Sequence, residues 1–125
     1  MPSKRVAGCF GDIVTAADLI LRWVEEAGGV EAAVNRNVLV RSAIERQLLV
    51  ISEAAIRLQK LSPDAMDTFA PEIDWPGIRG LGNFIRHKYD DLDAKVIADV
   101  LRHRLGGLRD GAKRALAQFN ASPQG

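Results

Sequence analysis

Trp75 to Asp93 reads W-P-G-I-R-G-L-G-N-F-I-R-H-K-Y-D-D-L-D and holds the densest chemistry of the chain. Arg79, Asn83 and His87 recur every four residues. On a helix they stack along one stripe. Arg86 stands seven after Arg79, nearly two whole turns, so both guanidiniums point the same way. An imidazole can move a proton near neutral pH, and a guanidinium can hold a phosphate and offset charge as it builds. Metal-independent RNA cleavage needs that pairing. A base takes the proton of a 2′-OH, the oxygen attacks the adjacent phosphate, and a cation steadies the extra charge. In this reading His87 is the acid or base, Asn83 orients the substrate or the imidazole, and Arg86 and Arg79 supply the cation. Asp90, three residues past His87, supports the imidazole. No metal and no cofactor is called for. The bland alternative for a lone helical His is a structural role.

The helix that must carry these groups has its own signals. Asp74 suits a cap and Pro76 a first helical position, where the missing N–H loses no partner. Ile78, Leu81, Ile85 and Tyr89 recur at threes and fours, one apolar stripe. Gly77, Gly80 and Gly82 each cost such a helix roughly 1 kcal/mol against Ala. They point to close approach of another backbone, to space for a ligand, or to a loosely wound first turn.

The rest of the chain supplies a scaffold. With 125 residues, 47% of them apolar and evenly spread, it suits one globular domain, 1–125. A net charge of +1 gives no global pull towards nucleic acid, so RNA contact must come from local clustering. The single Cys9 excludes an internal disulfide and reads as core filler. Nothing at the start resembles a signal peptide, and no apolar run approaches the ~20 residues needed to cross a bilayer. A cytoplasmic protein with no membrane partner is expected.

The periodicity predicts an all-α up-and-down bundle of about five helices. The first covers 5–27, ended by Gly28-Gly29, and a short connector follows over 30–34. The second covers 35–61. Its broad apolar face, widened by Leu48, Leu49, Val50 and Ala55, suits neighbours on two sides: the core and, on the other, either a second copy of the chain or further ordinary core packing. Ser62-Pro63 opens a short helical segment. The organising helix spans 75–89. Asp90, Asp91 and Asp93 supply turn and cap for a helix over 94–104, Gly106-Gly107 breaks it, and 108–119 forms the last helix before a frayed tail over 120–125. Glu53, within S-E-A-A, either faces the cationic strip and pairs with an Arg or is a solvated carboxylate. His103 lies between Arg102 and Arg104 in a solvated basic patch with no ligand-spaced carboxylate, and Trp23 and Trp75 read as packing anchors.

G-N-F-I-R-H-K-Y-D resembles the signature of the HEPN superfamily, specifically its HepT-like branch of bacterial toxins. That signature has Arg-Asn, three residues, His, one residue and Tyr. Asn83, His87 and Tyr89 match, and E-A-A at 53–55 is similar to the family's G-E-A-A stretch. The resemblance runs through most of the chain, including the W-x-x-I-R-G entry and the helix after D-L-D. It implies a HEPN-like helical fold and a metal-independent endoribonuclease toxin of a type VII-like toxin–antitoxin system. It further implies a homodimer whose His-bearing helices share one cleft, and a minimal nucleotidyltransferase antitoxin that transfers AMP to a tyrosine, here Tyr89. One position departs: the family's Arg falls at 82, where this chain has Gly82. At about 100° per residue, that Arg sits about 140° round the helix from His87, against about 100° for Arg86 and about 80° for Arg79. A long side chain spans such an offset, so either arginine can take its place. The rival reading is a chain that has lost nuclease activity and serves as a non-catalytic, nucleotide-binding helical partner of a nucleotidyltransferase.

Overall fold

The computed structural model describes the backbone of residues 2–86 and 90–122, and the side chains of residues 4–86 and 94–122. Among them run seven helices and no strand: α1 (Pro2–Ala27), α2 (Val30–Asn35), α3 (Val38–Leu61), α4 (Pro63–Phe69), α5 (Trp75–Arg86), α6 (Asp90–His103) and α7 (Leu105–Ala121). Five are long, as the periodicity predicts. The connector after Gly29 adds α2, and the Ser62-Pro63 segment is α4.

Helix α1 is the spine, with α3 on one side and α7 on the other. Cross-links between ends show that neighbours run antiparallel. Asp12 of α1 meets Arg57 late in α3 at 3.1 Å, and Asp18 meets Arg109 early in α7 at 3.0 Å. Phe10 stacks on Phe119 near the end of α7. The second side of α3 is covered by α5 of the same chain. One core joins the helices, with Phe10, Ile13 and Ile20 of α1 and Ile44, Leu48, Ile51 and Leu58 of α3 fully buried. Trp75 anchors α5 to it: the indole packs on Phe10 and its Nε1–H donates to the Ala70 carbonyl at 3.0 Å.

Several boundaries differ from the sequence reading. Helix α3 starts at Val38 rather than 35, because Asn37 leaves the helical region and its Oδ1 accepts from the Val40 N–H. Helix α6 starts at Asp90, so Asp90, Asp91 and Asp93 belong to its first turn instead of preceding it. The break after α6 falls at Arg104, and Gly106-Gly107 lies in the first turn of α7. Burying Leu105 and Leu108 together requires helix already at 105. Arg104 also holds the junction against Asp74 at 3.3 Å, and Asp99 lies 3.9 Å from His103. The basic patch is therefore less free than the sequence suggests.

No described helix is long and apolar enough to cross a membrane.

Candidate active site on helices α3 and α5

The start of α5 is built as its sequence dictates. Asp74 Oδ1 accepts from the Gly77 N–H at 3.2 Å, capping the first turn. The absence of a side chain at Gly77 leaves room for that carboxylate, since a Cβ there would lie 2.3 Å from it. Ile78, Leu81 and Ile85 are buried as one stripe and fix the rotation of the helix. With that stripe inward, Arg79 and Arg86 flank α3, while Asn83 is exposed.

Both arginines reach polar groups of α3. Arg79 Nη1 donates to Gln59 Oε1 at 3.0 Å. Arg86 Nη2 lies 3.9 Å from Glu53 Oε2, with both side chains about half exposed. The geometry thus puts Glu53 beside the cationic strip. A half-exposed pair at that distance is worth under ~1 kcal/mol, so it steers the guanidinium without locking it. His87 and Tyr89 lie outside the described residues, as does the side chain of Asp90, the first residue of α6. Arg86 ends the described part of α5, immediately before His87.

The departure at Gly82 has a physical cause. Gly82 is buried against Ser52 of α3. The Ser52 hydroxyl donates to the Arg79 carbonyl at 2.9 Å and accepts from the Gly82 N–H at 3.1 Å. A Cβ at 82 would lie 2.6 Å from Ser52 Oγ and 3.0 Å from Ser52 Cβ. No side chain leaves α5 there unless Ser52 gives way. The same point lies 3.4 Å from Arg86 Nη1. The Arg86 guanidinium folds back one turn and hangs over the glycine, where a side chain at 82 would begin.

Sequence reasoning missed Ser52 and Gln59. The signal for Ser52 was the serine in S-E-A-A standing where the resembled stretch has glycine, in the same chain that has glycine at 82. Gln59 gave no signal of its own. The described residues contain no cluster of His, Cys, Asp and Glu able to hold a metal ion. What the arrangement offers is a half-exposed guanidinium beside a carboxylate, one residue before His87 in the sequence.

A family model described as ribonuclease HepT-like matches residues 13–115, which takes in α3, α5 and every residue of this site. No solved structure matches the chain significantly. With most of its length covered by that match, the chain belongs to the ribonuclease HepT-like family.

Proposed function

We propose that the protein is a metal-independent endoribonuclease toxin in which Arg86 stands in for the family cation missing at Gly82. The observation that carries this is the Arg86 guanidinium 3.4 Å from the position a Cβ would take at 82. His87 takes the 2′-OH proton, O2′ attacks the adjacent phosphorus, and the P–O5′ bond breaks. A proton returns to the leaving 5′ oxygen, leaving a 2′,3′-cyclic phosphate and a 5′-hydroxyl. Arg86 neutralises the phosphorane, Arg79 holds a neighbouring phosphate, and Asn83 orients the ribose.

Family membership supports the finer parts of this reading. The chain acts as a homodimer, and a minimal nucleotidyltransferase antitoxin silences it by adenylylating Tyr89, in a type VII-like pair. The groove between α5 and α6, floored by Ile78, Leu81, Val96 and Val100 and open at Gly80, supports an apolar seat for the second copy.

Purified protein incubated with RNA in excess chelator is expected to release cyclic-phosphate ends. Cleavage seen only on adding a divalent metal, or none at all, refutes the nuclease reading. Nucleotide binding without cleavage then favours the non-catalytic partner, whose motivation is the closed seat at Gly82. Co-expression with the cognate nucleotidyltransferase is expected to place AMP on Tyr89 by mass spectrometry, and an adduct confined to another residue refutes that assignment.

A further inference from the structure

The α3 face that holds Glu53 continues beyond the site. Arg46, Glu53, Arg57 and Lys60 lie at intervals of seven, four and three, so they line one stripe. Where that stripe meets the start of α1 there is a cleft of about 450 Å³. Arg5, Arg57 and Lys60 form its rim together with the carboxylate of Asp12, and Gly8, Cys9 and Leu61 its floor. Asp12 engages Arg57 at 3.1 Å, whereas Arg5 and Lys60 form no ion pair among the described residues. Cys9 is 3% exposed, and its burial pushes the thiol up against the opposing pull of Arg57, so the floor stays uncharged at neutral pH. A Cβ at Gly8 would meet nothing within 4 Å, so the floor is open there. Residues 1–12, which include the α1 side of this cleft, lie outside the family match.

An apolar floor under a cationic rim suits a nucleotide, with the base on the floor and the phosphate on the rim. Lys60 is seven residues from Glu53, about 10 Å along α3 at 1.5 Å per residue. A stacked strand advances about 3.4 Å per nucleotide, so that distance is roughly three nucleotides. We propose that the α1–α3 cleft is a second subsite for single-stranded RNA, holding the nucleotide about three positions from the phosphate at Arg86. The proposal rests on the reading of the α3–α5 face as an RNA site.

The test is fluorescence anisotropy with labelled 2′-O-methyl RNA, which the 2′-OH mechanism cannot cut. A dinucleotide, too short to reach from Arg86 to the cleft, and a dodecamer are titrated at several salt concentrations. The parent should bind the dodecamer more tightly, and the Arg5→Glu/Lys60→Glu variant should lose about tenfold on the dodecamer and far less on the dinucleotide. The salt dependence of its log affinity should flatten by about 1 to 1.5, the loss of two phosphate contacts on a single strand. Gly8→Met fills the cleft from an exposed helical position, so it should weaken dodecamer binding without lowering the melting temperature. Equal losses on both lengths, or the same loss in an Arg22→Glu/Lys113→Glu control, overturn the subsite. So does displacement of the dodecamer by free AMP as efficient as by the dinucleotide, which marks a mononucleotide pocket. RNA that binds with the expected length dependence but is never cut refutes the nuclease reading alone. RNA that is cut while the cleft variants bind like the parent refutes the subsite alone.

Discussion

Arg86→Ala is expected to lower RNA cleavage by about 10²–10³-fold, the usual loss when one preorganised charge-stabilising group is removed. His87→Ala is expected to lose about 10²–10⁴-fold through the missing proton transfer. If both groups serve one transition state, the double variant should be little worse than the weaker single variant. Arg86 is exposed and pairs only loosely with Glu53, so its removal should leave stability within about 0.5 kcal/mol of the parent. Arg86→Lys keeps the charge but not the planar fork, and an intermediate rate is expected. Glu53→Gln should change the rate only a few-fold, since a half-exposed pair contributes under ~1 kcal/mol. Single-turnover cleavage with protein in excess separates chemistry from product release. Full activity in Arg86→Ala with a large loss in Arg79→Ala would move the cation role to Arg79. Full activity in both would remove guanidinium catalysis from the account.

How much of this was readable before the structure depended on how local the determinant is. The rotation of α5 was legible, because Ile78, Leu81 and Ile85 mark its buried stripe and Asp74 its start. Those signals act within one helix. The start of α3 was missed by three residues, because a polar Asn37 on a helical pattern looks like a surface residue until its φ/ψ is known. The break before α7 was misplaced because two adjacent glycines outweigh a lone arginine in sequence, while the burial of Leu105 decides the matter in three dimensions. The Glu53–Arg86 pairing stood open in the sequence, since the register between α3 and α5 is non-local. Ser52 left a faint trace in S-E-A-A, but its role was unreadable for the same reason. Its role exists only because it lies opposite Gly82, thirty residues away. The sequence did expose the departure at 82. What it lacked was the knowledge that Gly82, Ser52 and the Arg86 guanidinium meet in one place.

Restoring the family's residue by Gly82→Arg should harm the protein. The new Cβ would meet Ser52 Oγ at 2.6 Å and Ser52 Cβ at 3.0 Å, inside the packed contact of α3 with α5. Rotating the hydroxyl away relieves the first clash but breaks its bonds to the Arg79 carbonyl and the Gly82 N–H, leaving the Ser52 hydroxyl without these partners in a buried place. Overpacking costs about 1–3 kcal/mol and an unmade buried hydrogen bond about 1–3, against roughly 1 kcal/mol recovered from removing a helical glycine. A net loss of about 2–4 kcal/mol is expected, read as a lower urea midpoint at unchanged slope. If the glycine of the resembled G-E-A-A stretch takes the place of Ser52, the small residue between the two helices would sit on α3 instead of α5. Ser52→Gly alone should destabilise by about 1–2 kcal/mol, through the lost bonds and the added helical glycine. Combined with Gly82→Arg it should cost less than the sum, with a coupling of at least about 1 kcal/mol. Additive losses would show that residue 82 has another way out of the contact. The same background tests Arg86 against the cation it is argued to replace. Adding Arg86→Ala to Ser52→Gly/Gly82→Arg should cleave RNA at least about tenfold faster than Arg86→Ala alone, because a guanidinium again leaves the face of α5 where that of Arg86 lay. No recovery in a folded triple variant would mean that Arg86 does a different job from the residue missing at 82.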